Sequence, residues 1–242
     1  MTRERTTGDD YSDTAEFYDI LQADQDRRRA ARLYGARLER AEVVVDAGAG
    51  SGLLTVLALE STSATVHAVE PAAPMRALLM TRLAGLRADQ RARVTVHPWT
   101  LDACALSPRA DLVVCNNVVP TIPPGQRHAL WRGLGRALAP GGHAVLDTPP
   151  TEPPLREQVE RLPRVRVGED VFGATMTTRA EERLISVSFT YTVERDGRVI
   201  REHRDTFPLY PLPLPVLREE WRRAGLEDVA CDAETLVVRR AR

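Results

Sequence analysis

The sequence predicts an α/β protein: a doubly wound, Rossmann-like, mostly parallel sheet of seven strands, with a small antiparallel β insertion after the fifth strand. Three observations predict it. Val43-Val44-Val45-Asp46 is the apolar, β-branched run that a strand covered on both faces requires, and it enters a glycine turn, Gly48-Ala49-Gly50-Ser51-Gly52, that opens an apolar helix. Strand-like and helix-like segments then alternate as far as Asp147. Beyond that point residues 185–193 alternate apolar and polar side chains with a period of two, and Asp196-Gly197, a strong tight-hairpin signal, follows.

The elements follow in order. Residues 14–40 read as a helix, with Phe17, Ile20, Leu21, Leu33 and Leu38 at near-helical spacing and a break expected near Ala23. The first strand ends at Asp46, and the helix over 53–59 is expected to point its N-terminal N–H groups at a ligand carboxylate or phosphate. Residues 65–69 form the second strand, which stops at Glu70; Pro74 then starts a helix carrying Met75, Leu78, Leu79 and Leu83. Strands are expected at 94–96 and 111–115, with the Asp102 loop between them. A helix over 126–139 is stopped by Pro140-Gly141-Gly142, and 143–147 is the fifth strand. Pro149, Pro150, Pro153 and Pro154 break the rhythm, and a hairpin of 185–193 with 199–207 follows. A helix over 216–224 and strands at 228–231 and 235–238 complete the chain. The expected organisation is N-terminal helices and cofactor core over 1–148, insertion over 149–213, and return to the core over 214–242.

Composition narrows the functional class. The 242 residues suit one large domain with an insertion. Cys104, Cys115 and Cys231 are odd in number and contain no C-x-x-C pair, and no histidine has metal-ligand spacing, so neither a disulfide framework nor a metal is expected. Net charge is -1 and lysine is absent, so arginine use reads as coding bias. Arg27-Arg28-Arg29 lies among Asp24, Asp26 and Glu39 and reads as a solvated helix face rather than a nucleic-acid patch. The first ten residues lack the apolar run of a signal peptide or membrane span. These readings point to a cytoplasmic protein and away from nucleic acid or membrane as its partner; a homodimer is compatible with them.

The cofactor is chosen by glycine spacing. A dinucleotide fingerprint, G-x-G-x-x-G, would place its last glycine where this chain has Leu53. The spacing present, Gly48, Gly50 and Gly52 after Asp46, resembles motif I of the class I S-adenosylmethionine-dependent methyltransferases. Three further segments are similar to that family in order and spacing: Glu70, Asp102-Ala103 with Leu106, and Leu138-Ala139-Pro140-Gly141-Gly142. The resemblance covers roughly residues 11–144 and 217–238. It implies S-adenosylmethionine as cofactor, held by Asp46, Ala47, Gly48, Gly50 and Gly52 at the turn. Glu70, beside Pro71, would accept the ribose hydroxyls, and Leu101, Asp102 and Ala103 would read the adenine. Met75 would lie along the adenine face or in the helix core, with Cys115 and Asn116 at the end of the fourth strand. The N-terminal Tyr11 would approach the methionine end.

Departures narrow the branch. After the fourth strand the chain reads Cys115-Asn116-Asn117-Val118-Val119-Pro120, without the histidine common in relatives, without N-P-P-Y and without paired glutamates. That argues against methylation of DNA bases and of protein arginine. Tyr11 and the stretch Asp13-Thr14-Ala15-Glu16-Phe17-Tyr18-Asp19-Ile20, with the β insertion, resemble the small-molecule branch that includes glycine-type and deoxysugar N-methyltransferases. The resemblance implies natural-product metabolism, nitrogen preferred over oxygen, and an insertion that caps the acceptor.

Methyl transfer from a sulfonium is an in-line displacement, so catalysis is mainly positioning in a dry cleft, with a base useful for some acceptors. Tyr18, His203 and Asp205 are the catalytic candidates. If the Asp196-Gly197 hairpin is regular, Thr190 pairs with His203 and Ser188 with Asp205, placing these four on one face and Val187, Phe189, Tyr191, Val193 and Ile200 on the other. That polar face meets either water or the acceptor, with His203 oriented by Asp205. Tyr18 is read equally as helix packing. Trp99 is expected to pack beneath its loop, and His67 and His97 to be core or edge residues. Other functions open to the same chain are a non-methylating reaction such as cyclisation or decarboxylation, a non-catalytic cofactor-binding module, and a nicotinamide-dependent reductase.

Overall fold

The structure, a computed structural model, describes residues 14–241. Helix α1 (Ala15–Leu38) leads into β1 (Val43–Ala47), α2 (Leu53–Ser61), β2 (Thr65–Val69), α3 (Ala73–Ala84), the single turn α4 (Ala88–Arg91), β3 (Val94–His97), β4 (Ala110–Cys115), α5 (Arg127–Ala137) and β5 (Leu138–Asp147). Then come β6 (Gln158–Arg161), β7 (Val165–Val167), β8 (Asp170–Glu181), β9 (Leu184–Arg195), β10 (Arg198–Leu209), α6 (Leu214–Arg223), β11 (Leu226–Cys231) and β12 (Thr235–Arg240).

Seven strands form the first sheet in the order β11-β12-β5-β4-β1-β2-β3; β1 to β5 run parallel, β12 alone is reversed, and β11, antiparallel to β12, runs in the direction of β1 to β5. Strand order reverses between β1 and β4, so the crevice outside their carboxyl ends is where a sheet of this kind takes its ligand. Val44 and Val45 of β1 are buried between two apolar layers: Trp131, Leu134, Leu217 and Trp221 on one side, Tyr34, Leu38, Leu54, Leu59 and Leu79 on the other. Among the described residues no helix is long and apolar enough to cross a membrane.

Helix α1 is continuous, against the expected break at Ala23. Residues 16–34 contain neither proline nor glycine, so nothing interrupts the i→i−4 ladder. Its C-terminal half buries Tyr34 and Leu38 against the first sheet, and its N-terminal half buries Phe17 and Leu21 against the second.

The second sheet has the order β10-β9-β8-β6, with β7 paired to β8, and its strands leave the chain after β5 as expected. Sequence reading found β9 and β10 but not β8, because the inward residues of β8, Phe172, Ala174, Met176 and Thr178, alternate with glycine and threonine rather than with charged residues. The Asp196-Gly197 turn is present, both residues at positive φ (51° and 72°), and Arg195 faces Arg198.

The predicted register fails one residue later. Between Val199 and Arg201 the ladder carries a β-bulge that leaves Ile200 without a partner, so His203 pairs with Tyr191 and Asp205 with Phe189; Thr190 and Ser188 face Arg204 and Thr206 instead. A slip of one residue exchanges the two faces. His203 and Asp205 therefore share the face of Val187, Phe189, Tyr191 and Val193, the face that packs on α1, and not a hydroxyl-lined polar face. The His203 ring stacks on Tyr191 at 6.5 Å, Tyr191 on Phe17 at 4.8 Å and Phe189 on Phe207 at 6.2 Å.

Candidate active site at the carboxyl ends of the first sheet

The site grows from the turn between β1 and α2. Gly48, Gly50 and Gly52 have φ of 80°, 56° and 87°, where a side chain is strained. Space is short as well: a Cβ on Gly48 would lie 2.4 Å from Val118 Cγ2, and one on Gly52 2.4 Å from Leu79 Cδ1, while one on Gly50 would stand clear of any neighbour. Gly52→Ala is expected to destabilise the protein by about 1–3 kcal/mol through strained backbone and, in addition, by crowding Leu79, whereas Gly50→Ala carries the backbone strain alone and is expected to cost less; thermal denaturation of the pair checks the order.

The backbone donors of this turn are engaged inside the protein. Gly48 N and Ala49 N both donate to the Val69 carbonyl, at 2.8 and 3.0 Å, Gly50 N donates to Glu70 Oε2 at 2.8 Å, and Gly52 N to the Ala49 carbonyl. Glu70 Oε1 accepts from Ala72 N at 2.7 Å. The expectation that N–H groups at the start of α2 point at an anionic ligand is thereby corrected in part: the turn is stitched to the end of β2, and the Thr55 N–H is held by Asp46. The hydroxyl of Ser51 is buried at the turn and has no protein partner.

Three carboxyl groups stand at the carboxyl ends of β1, β2 and β5. Asp46 is 2% exposed and accepts the Thr55 hydroxyl at 2.6 Å; burial pushes its pKa up to about 7 against the opposing Thr55 bond. Burial raises Glu70 as well, opposed by its two backbone donors, and Asp147, opposed by Asn117 N at 2.8 Å. Asn117 itself adopts φ 59°, a left-handed conformation that asparagine tolerates.

Because the folded value for Asp46 lies above its unfolded value of about 3.9, the folded state keeps a proton that the unfolded chain releases. This group's contribution is complete below about pH 4 and is lost as pH rises toward 7. The variant Asp46→Asn, whose amide oxygen still accepts the Thr55 hydroxyl, is expected to gain Tm relative to the wild type as pH climbs from about 4 to 7. A constant difference across that window would show that Asp46 is ionised throughout.

Above β4, Asn116 Oδ1 accepts from Tyr34 Oη at 2.9 Å and from Arg29 Nη1 at 3.1 Å. Burial raises the Tyr34 hydroxyl and the Cys115 thiol far above their ordinary values, so both stay neutral. Arg82 ties the turn to α1, donating to the Ser51 carbonyl at 3.0 Å and to Asp19 Oδ2 at 2.6 Å.

The structure thus brings Asp46, Ala47, Gly48, Gly50, Gly52, Glu70, Cys115 and Asn116 together at the carboxyl ends of β1, β2 and β4. Pro71 follows Glu70 at the same end of β2, and Met75 is buried in the first turns of α3. Leu101, Asp102 and Ala103 form a 3-10 turn in which Thr100 Oγ1 donates to Asp102 Oδ1 at 2.7 Å. Tyr11 lies outside the described residues. Tyr18 is half-buried on α1, its hydroxyl hydrogen-bonded to Asp26. Trp99 is 56% exposed, correcting the expectation that it packs beneath a loop. His67 is buried in β2 and contacts His97 of β3 at 3.1 Å, as core and edge residues do.

Sequence reading missed Arg29, Tyr34, Ser51, Asn117 and Asp147. Asp147 carried a usable signal, an acid ending an apolar strand as Asp46 does. Arg29 and Tyr34 carried none, because a polar residue on a long helix does not announce which way it faces.

The methyltransferase domain family matches residues 45–144. Among solved structures the chain is similar to DesVI of Streptomyces venezuelae, with TM-score 0.71 and 16% identity over 98% of this chain and 100% of that one. It is similar to CalS10, an amino pentose methyltransferase of Micromonospora echinaspora involved in calicheamicin biosynthesis and solved with S-adenosylmethionine bound, at TM-score 0.71 and 21% identity over 99% and 100%. The sugar N-methyltransferase KedS8 from Streptoalloteichus matches at TM-score 0.70 and 17% identity over 100% and 97%. No curated protein matches the chain. At these identities the structural likeness speaks for the fold.

Proposed function

We propose that this chain, a class I methyltransferase by its domain and fold, transfers the methyl group of S-adenosylmethionine to a small molecule, to nitrogen in preference to oxygen, in natural-product metabolism. One observation supports this cofactor above the nicotinamide alternative. The glycine turn has its donors at Gly48, Ala49 and Gly50 already bonded, and it lies among the carboxyls of Asp46, Glu70 and Asp147. A pyrophosphate would need those donors free and would be repelled by the carboxyls, whereas a sulfonium-bearing cation has the opposite requirements.

In this reading Tyr11, Asp46, Ala47, Gly48, Gly50 and Gly52 hold the methionine portion. The Glu70 carboxylate, fixed by two backbone donors beside Pro71, still has lone pairs for the ribose hydroxyls. Met75, Leu101, Asp102 and Ala103 enclose the adenine, and Cys115 and Asn116 form the floor between them. The bound sulfonium supplies an electrophilic methyl group. The remaining work is positional, and the insertion over 149–213 acts as a lid that excludes water from the acceptor.

The acceptor we assign is an amine carried on a sugar-like ring, the class named for the two sugar-directed structural neighbours. An aliphatic amine is protonated at neutral pH and must lose a proton before its lone pair can attack. His203 is the base on the inward face of β10, with Asp205 orienting it and Tyr18 completing the cleft from α1. The enzyme works in the cytoplasm on a free small molecule, not on nucleic acid or membrane, as a monomer or homodimer.

Incubation with methyl-labelled S-adenosylmethionine and a panel of amino sugars and phenols tests this. Label in the amine products is the expected result. Label confined to phenols, or S-adenosylhomocysteine formed without any methylated acceptor, would contradict it. His203→Ala is expected to lower kcat by about 10²-fold or more; unchanged turnover would dispose of His203 as the base.

A further inference from the structure

A second site lies at the opposite edge of the first sheet. Arg109 immediately precedes β4, and Arg240 ends β12, which runs antiparallel to β5 and so finishes at the amino-terminal edge of the parallel strands. There a groove of about 510 Å³ is lined by Arg109, Arg132, Arg136 and Arg240, with the backbone of Gly135 and Gly225 between them. Arg132 and Arg136 are four residues apart on α5 and therefore share a face. Gly135 has no side chain to fill the space, and Gly225 turns the chain at φ 70°.

Four arginines line the groove without a carboxylate among its lining residues. None of the four forms an ion pair among the described residues, in a chain of net charge -1 in which Arg27, Arg32, Arg127, Arg195, Arg218 and Arg239 are all paired. Arg136 alone has a partner, the Asp102 carbonyl. A second cavity of about 190 Å³ shares Arg109 and Arg136 with the groove and continues it between Leu101, Leu106 and Ala137. The cleft thus has a cationic mouth and a smaller annex of mixed polar and apolar lining. Its volume is in the range of small-ligand sites, and forked arginine donors match phosphate oxygens.

We propose that this cleft binds an organic diphosphate, the two phosphates at the four arginines and the organic group in the annex, its mouth at the opposite sheet edge from the cofactor site and Leu101, at the inner end of the annex, common to both. Calorimetry on the intact protein, saturated with S-adenosylhomocysteine so that an adenine ring cannot enter the cofactor site, tests it with inorganic pyrophosphate and ADP as probes. Both are expected to bind, ADP more tightly than pyrophosphate, and about 0.5 M salt is expected to weaken both. The double variant Arg132→Glu, Arg240→Glu, in exposed side chains, is expected to weaken both at least tenfold while its affinity for S-adenosylhomocysteine stays at the wild-type value. Arg136 is left in place because it holds the Asp102 segment. Absence of binding by both probes, or binding that the double variant leaves unchanged, would overturn the site; ADP no tighter than pyrophosphate would overturn the role of the annex. S-Adenosylhomocysteine binding by the same sample separates these outcomes from failure of the methyltransferase reading.

Discussion

Glu70→Ala is expected to weaken binding of S-adenosylhomocysteine by at least about 10²-fold. Each hydrogen bond to a charged group contributes about 1.5–3 kcal/mol, and the ribose offers two hydroxyls to this carboxylate. The variant also removes the acceptor that Gly50 N and Ala72 N share, leaving two N–H groups to find new partners at about 1–3 kcal/mol each. The effects separate by measurement: calorimetry reads the affinity, and denaturant unfolding without ligand reads the cost to the turn. Glu70→Gln is expected to fall between, because its amide has one acceptor oxygen where the carboxylate has two. Lower stability with unchanged affinity would make Glu70 a staple of the turn and nothing more.

Phe17→Ala has the largest expected effect on stability. Phe17 is 1% exposed, stacked at 4.8 Å on Tyr191, 6.0 Å from Phe172 and covered by the Arg201 guanidinium at 5.6 Å. Deleting a buried phenylalanine costs about 3–5 kcal/mol, against a total that for most domains is about 5–15 kcal/mol. The damage should also be local, since this ring joins the N-terminal half of α1 to the inward face of the second sheet. Hydrogen exchange is expected to show β8 and β9 losing protection before β1 and β4, with kcat falling further than cofactor affinity. Uniform loss across both sheets would contradict the division of α1 between two cores.

The parts legible in the sequence were those with a single strong local cause. A run of valines into glycines fixed β1 and its turn, and acids ending apolar strands marked Asp46 and Glu70. The second sheet was legible in part: the Asp-Gly pair located the hairpin tip correctly, yet one unpaired residue, Ile200, moved His203 and Asp205 to the opposite face. A bulge reverses the phase of the alternation, but only Arg198 and Val199 of β10 precede this one, too few residues to show the change. The polar cluster of Arg29, Tyr34 and Asn116 was invisible for a different reason, being assembled across 87 residues by the docking of α1.

The central claim is that the crevice at Gly48–Gly52 and Glu70 serves the sulfonium donor and not a dinucleotide. Calorimetric titration of the purified protein with S-adenosylhomocysteine, and separately with nicotinamide dinucleotides, tests it most directly. The account predicts one site per chain for S-adenosylhomocysteine, lost or much weakened in Glu70→Ala, with no saturable binding of the dinucleotides in the same crevice. Tight binding of a nicotinamide dinucleotide that Glu70→Ala abolishes, without binding of S-adenosylhomocysteine, would contradict it.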